Sequence, residues 1–355
     1  MPRFKKVVII SDGIRGHFHQ SLGIARWLER LDNTEIQGPV EVPKLSGLKK
    51  FFKLKLPSRK IPSSNKNYSE KFLSSFGIDY KNFLSPETLF ISAGSSAAPF
   101  CLALAKATEN KSAVIMTPSV LGTKPFDFAI IPEHDKKSSE KNLITTLGAA
   151  NHIFIPELKD EAARFFADAG KNFSGRVLTI LVGGSDANYK PDAEWVRKAL
   201  GPLKDFEGVK ILITTSRRSG QAVENEIEKI FKDSPALGYM LLLSREPEVK
   251  ALPAMLGAAT HVLVTEDSVS MVSEAATAGF KVGLLRVPKT SQRIKKIFGY
   301  GTQRFDEMFL RMEQENLIED LGMIPDLKKF LAPPEQKHNK NFNEARRVAE
   351  WIINS

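Results

Sequence analysis

Short apolar, often β-branched runs alternate with stretches of helical period along nearly the whole chain, and that alternation leaves few folds open. Lys6–Ile10, Leu89–Ser92, Ala113–Met116 and Phe128–Ile131 are strand-like, separated by helical patterns at Gln20–Leu31 and Ala97–Thr108. Strands without a polar face belong in a mostly parallel sheet covered by helices on both sides. After Asn151–Pro156 the theme restarts. Strands are expected at Val177–Val182, Val209–Thr214, Met240–Leu243, His261–Val264 and Val282–Leu285, with helices starting near Asp192, Ser219, Glu248 and Ser268. The reading is α/β: two successive Rossmann-like domains, residues 1–155 and 156–340, with a helix over Asn341–Ile353 after them. A chain of 355 residues is long for one core and comfortable for two.

Ligands of open α/β sheets bind beyond the carboxyl ends of strands, so the loops there carry the functional reading. The second domain offers three. Gly183-Gly184-Ser185 follows a strand with two residues that lack Cβ, which lets backbone N–H groups approach a ligand closely. Ser216, Arg217 and Arg218 follow the next, where the guanidinium fork suits phosphate oxygens. In Val262–Ala276, Glu266, Asp267 and Ser268 fall where a strand gives way to a helix N-terminus, which favours anions such as diphosphate. Ser270 and Glu274 recur one and two turns on, and a carboxylate behind a phosphate-sized pocket can accept from ribose hydroxyls. The competing reading is an ordinary turn whose hydroxyls only cap the helix.

Composition narrows the class. Apolar content of 42% and charged content of 26% are ordinary for a globular protein. The single cysteine, Cys101, sits in an apolar run, so no disulfide framework or cysteine metal site can form within one chain. No apolar stretch has the length of a transmembrane helix or a signal-peptide core, and a cytoplasmic location follows as the expectation. The net charge of +10 is concentrated between Lys44 and Lys60, which contains no acid. Leu45, Leu48, Phe52 and Leu56 recur there at helical spacing among Lys49, Lys50 and Lys53. Such a segment suits the anionic inner face of a membrane; equally, its apolar stripe could pack on its own domain. Lys53–Asn67 reads as an inserted loop. Nucleic acid is disfavoured, because no recognition module accompanies the charge.

Taken in order, "SDGIRGHFHQSLGIARWL" (Ser11–Leu28), "FDFAIIPEHD" (Phe126–Asp135), "LVGGSDANY" (Leu181–Tyr189), "ILITTSRRSG" (Ile211–Gly220) and Val262–Ala276 resemble the "elongated mitochondria" fission family. That family is regarded as glycosyltransferases of the two-domain GT-B kind. The resemblance implies a cleft between the domains, with the terminal helix crossing back onto the first. The loop after the first strand carries Asp12, Gly13, Gly16 and His17; its glycines are not spaced as a dinucleotide fingerprint, so neither NAD nor FAD is inferred. Gly16-His17 is similar to the first glycine-rich loop of the bacterial transferase that adds N-acetylglucosamine to a lipid-linked cell-wall precursor. That comparison implies His17 as the base, with Asp12 next, and sets Glu274 on the ribose-binding glutamate. His17 could instead be a helix-start residue bonded to backbone.

His134, within Pro132-Glu133-His134-Asp135, is a candidate for orienting substrate, since consecutive side chains cannot all face one ion. No Asp-x-Asp motif stands where a metal-dependent transferase would hold its cation. The expectation is therefore a glycosyltransferase that needs neither metal nor cofactor. It would move a sugar from a nucleoside-diphosphate donor in the second domain to an acceptor on the first, one linked to lipid at the membrane surface. Two alternatives stand beside it: a nucleotide-sugar epimerase on the same scaffold, and a non-catalytic, membrane-associated interaction protein.

Overall fold

The computed structural model describes residues 2–135, 140–168, 170–290, 303–338 and 341–355. Contacts divide the chain into two units, Met1–His152 with Asn343–Ser355, and Ile153–Phe342.

The first unit is built on β1 (Lys6–Ser11), β2 (Glu35–Glu41), β3 (Thr88–Ala93), β4 (Lys111–Ile115), β5 (Phe128–Pro132) and β6 (Leu143–Thr146). They form one parallel six-stranded sheet in the order β2-β1-β3-β4-β5-β6. Alternation along β1 splits the core in two, as the period of a strand requires. Val8 and Ile10 face one side of the sheet, packing with Phe90, Phe100 and Leu104. Val7 and Ile9 face the other way, onto Ile24, Ala25 and Leu28 of helix α1 (Arg15–Asp32). The terminal helix α2 (Glu344–Asn354) completes that second layer through Val348, Ala349 and Ile352, and the Trp351 ring meets Phe128 edge-on at 5.5 Å. Cys101 is buried in the first layer, where desolvation pushes its thiol up to about 12.

The second unit repeats the plan with β7 (Arg176–Val182), β8 (Val209–Thr215), β9 (Leu237–Leu241), β10 (His261–Thr265), β11 (Val282–Leu285) and β12 (Ile318–Asp320). Its parallel sheet runs β12-β11-β10-β7-β8-β9. Leu178, Ile180 and Val182 pack with Trp195, Ile227 and Phe231 on one face, while Val177 and Leu212 meet Phe166 and Met255 on the other.

Three strands fall where no strand is expected from the sequence: β2, β6 and β12. Each lies at the edge of its sheet. Lys53–Asn67 also departs from the expected loop, because Gly47–Lys50, Phe51–Lys55 and Leu56–Ser58 run on as helix, with a wider π turn in the middle. Leu54 and Ile61 are buried there and hold the segment on the unit. No helix among the described residues is long and apolar enough to cross a membrane.

Candidate functional site

Each sheet reverses its winding direction once, and such switch points leave a crevice beyond the strand ends. In the second unit the switch falls between β7 and β10, with β8 next in order. The loops after these three strands are those carrying the glycine pair, the arginine pair and Glu266-Asp267-Ser268.

Close approach explains the glycines. A Cβ on Gly184 would stand 2.0 Å from the Arg218 carbonyl carbon, and one on Gly183 would stand 2.0 Å from an Asp267 carboxylate oxygen. The Gly183 N–H donates to Thr265 Oγ1 at 2.7 Å, and the Gly184 N–H to Asp267 Oδ2 at 2.5 Å. From the β8 side, Ser185 N donates to Arg218 O at 3.0 Å, and Ser219 Oγ donates to Gly183 O. Ser216 Oγ accepts from Arg218 N and fixes the turn.

The two arginines part company. Arg218 reaches in, to Gly184 O and the carboxylates of Asp186 and Asp267, each contact 3.4 or 3.5 Å long. Arg217 points out toward Pro247 O and Glu248. Asp267 is buried, its Oδ1 has no hydrogen-bond partner among the described residues, and burial raises its carboxyl above the usual range.

Glu266 has a different place from its neighbour. Its Oε2 accepts from Arg286 at 2.8 Å and its Oε1 from Val287 N at 3.0 Å, tying the β10 loop to the end of β11. Arg286 also bonds Asp306 and Asp320. Glu266 is thus wholly engaged within the protein and shapes the loop. Ser268 precedes helix α3 (Val269–Thr277), and its side chain makes no capping bond, which leaves the hydroxyl and the first helix N–H groups available. Ser270 is half-buried in the first turn.

Glu274, in the second turn, is buried, and desolvation pushes its carboxyl up to about 8. A carboxyl with a native pKa above its unfolded value keeps a proton that the unfolded chain releases. Its destabilising effect is absent below about 4.5, grows as pH rises from there, and is complete above about 8. Glu274→Gln should therefore raise the melting midpoint at pH 8.5 by a few degrees and change it little at pH 5. Equal shifts at the two pH values in differential scanning fluorimetry would contradict this.

In the first unit the switch falls between β1 and β3. Asp12 ends the β1 turn, where its Oδ1 accepts from Ile14 N at 3.1 Å. His17, in the first turn of α1, sets Nδ1 at 3.0 and 3.2 Å from the two Asp12 oxygens. A carboxylate at Nδ1 holds the proton there and leaves Nε2 as the basic nitrogen. The imidazole rests over Gly94 at the start of helix α4 (Gly94–Thr108), where φ is +79° and a Cβ would come within 2.5 Å of the ring. Gly16 has open space where a side chain would stand. His19 leaves this pair for the ring of His152, 4.6 Å away. His134 lies in the single turn Glu133–Asp135, and its side chain falls outside the described residues.

Of the basic window, Leu48 (77%) and Phe52 (59%) are the most exposed apolar side chains, with Phe51 and Leu56 beside them. Lys50 turns inward and donates to Ser96 Oγ at 2.7 Å. Gly94, Ser96, Thr265 and Ser219 were not candidates from the sequence, and Lys44 stood there only as part of the basic window. For Gly94-Ser95-Ser96 a signal existed, a glycine with two hydroxyls directly after an apolar run.

Two parallel six-stranded Rossmann-like sheets of this winding define a GT-B-type fold. The chain belongs to the mitochondrial fission ELM1 family, whose sequence pattern matches residues 15–355. It is 24% identical over 306 residues to the uncharacterized protein RP120 of Rickettsia prowazekii, spanning 75% of this chain and 79% of that one. Among solved structures it is similar to the UDP-GlcNAc 2-epimerase of Methanocaldococcus jannaschii, at 11% identity and a TM-score of 0.54 with 98% of each chain covered. The E. coli ADP-heptose lps heptosyltransferase II aligns at 9% identity and a TM-score of 0.46, over 87% of this chain and 99% of that one.

Proposed function

We propose that the protein is a glycosyltransferase that takes a sugar from a nucleoside-diphosphate donor and passes it to an acceptor hydroxyl. The observation that carries this reading is the convergence of three loops on one switch point of the second sheet. There Gly183 and Gly184, their own N–H groups spent on Thr265 and Asp267, let the β8 loop close tightly enough to bring Arg218 beside the uncapped α3 N-terminus at Ser268. Glu274, in the second turn of α3, supplies the acceptor for ribose hydroxyls. Arg218 is already shared between Asp186 and Asp267, so a diphosphate exchanges partners with these carboxylates rather than entering a vacant hole. Its charge and the helix dipole stabilise the departing nucleoside diphosphate, a task a metal ion performs in other transferases.

In the first unit, His17 Nε2 takes the proton of the acceptor hydroxyl as that oxygen attacks the anomeric carbon, and Asp12 stabilises the imidazolium that forms. The exposed Leu48, Phe51, Phe52 and Leu56, set among Lys49 and Lys53, favour a peripheral position on an anionic membrane, where a lipid-linked acceptor would be met. The cytoplasmic face is the side this reading requires.

A thermal-shift panel of nucleoside diphosphates and their sugars tests the proposal. A ligand at a hundred times its dissociation constant adds about 2.7 kcal/mol of stability. A shift with one base that disappears in Glu274→Ala is expected. No shift with any member would overturn the donor site, and conversion of the bound sugar without an acceptor would make the protein an epimerase.

A further inference from the structure

The loop that holds Asp12 and His17 borders a cavity of about 390 Å³, within the range of about 300–1,000 Å³ usual for small-ligand pockets. Asp12, Gly13, Lys44, Lys50 and Ser96 give it its polar wall, and Ile14, Pro43, Leu45 and Leu54 its apolar one. Lys44 enters across Gly13, where φ is +76° and a Cβ would lie 2.6 Å from Cε and 2.8 Å from Nζ, so any side chain there would displace the ammonium. Lys50 lines the same cavity and is held by Ser96 Oγ at 2.7 Å. Neither ammonium has a carboxylate partner at ion-pair distance among the described residues. The carboxylate of Asp12 is turned to His17 and to the Ile14 N–H. Two compact cations converging on one partly apolar cavity are an arrangement for a phosphate group.

Position says what carries that phosphate. Asp12 is shared between the cavity and the His17 pair, and Ser96 stands two residues beyond the Gly94 on which the imidazole rests. The helical segment that supplies Lys50 also carries the exposed Leu48, Phe51 and Phe52. We infer that the cavity seats the phosphate of a phosphate-linked acceptor, with Lys44 and Lys50 as its counter-ions, so that the acceptor's hydroxyl end lies at His17 and its apolar end follows the Leu48–Phe52 surface. This rests on the transferase reading above and adds the substrate class to it. Lys50 thereby moves from contact with headgroups to contact with substrate.

Inorganic pyrophosphate is the probe, titrated calorimetrically into the full chain with the donor site saturated by the nucleoside diphosphate found in the panel. Binding at one site is expected, weakened at least tenfold in Lys44→Gln/Lys50→Gln and kept within threefold in Lys44→Arg/Lys50→Arg. A parallel arm measures sedimentation with phosphatidylglycerol vesicles. Lysine-dependent vesicle binding without pyrophosphate binding would assign both ammonium groups to headgroups and overturn the inference. Equal pyrophosphate affinity in wild type and the Gln variant would overturn it too, while leaving the donor reading intact. Pyrophosphate binding through the lysines in a chain that binds no nucleoside diphosphate would keep the phosphate seat and overturn its role in acceptor binding.

Discussion

Replacing His17 with Ala is expected to lower sugar transfer by about 10²–10⁴-fold, the range over which positioned proton transfer contributes. Affinity for the nucleoside diphosphate should stay within twofold, because His17 belongs to the first unit and the donor residues to the second. Asp12→Asn is the informative companion. The Asn amide can donate to Nδ1, which moves the proton to Nε2 and removes the base without removing the ring. Its transfer rate should approach that of His17→Ala, while Asp12→Ala, which frees the tautomer, retains more. Steady-state rates in the presence of EDTA measure all three and test metal independence at once. A His17→Ala enzyme within fivefold of wild type would return His17 to the role of a helix-start residue.

The second large effect is expected at Gly184. A Cβ there meets the Arg218 carbonyl carbon at 2.0 Å, its oxygen at 2.2 Å and Ser219 N at 2.3 Å. These are backbone atoms and cannot swing aside as a side-chain end would. Gly184→Ala must therefore push the β7 loop away from the β8 loop, breaking the Ser185 N to Arg218 O bond and moving Arg218 off the crevice. Overpacking of this kind costs about 1–3 kcal/mol of stability. Nucleotide affinity should fall more than thirtyfold, since several phosphate contacts move together. Arg218→Ala, which removes one hydrogen-bonded charge worth about 1.5–3 kcal/mol, should fall less. Calorimetry on the two variants decides it, and a Gly184→Ala protein with wild-type affinity would place the diphosphate elsewhere.

What the sequence by itself determined follows sheet position except at β9, an edge strand whose apolar Met240 and Leu241 were still legible. The central strands are buried on both faces, so β1, β3, β7, β8, β10 and β11 stand out as apolar runs, and the loops after them could be named from residue order alone. β2, β6 and β12 could not. β2 carries Gly38-Pro39, which an edge tolerates because one side makes no ladder bonds, and its mostly exposed residues show no apolar run. β12 is three residues long. The same locality limits the site. Glycines, hydroxyls and arginines after strands can be read in one dimension, because the strand-end rule is a statement about sequence neighbours.

Direction cannot be read that way. Arg217 and Arg218 are adjacent in the chain, yet only Arg218 meets Asp267, because the turn closed by Ser216 and Ser219 sends successive side chains apart. Glu266 and Asp267 differ likewise, one drawn to Arg286 and the other to the Gly184 N–H. The Asp12–His17 pair, the Gly94 beneath it and the ammonium groups of Lys44 and Lys50 above Gly13 and Ser96 come from three separate stretches of chain. Parallel strands bring them to one switch point, and a contact made across a sheet depends on strand order, which local propensity does not encode.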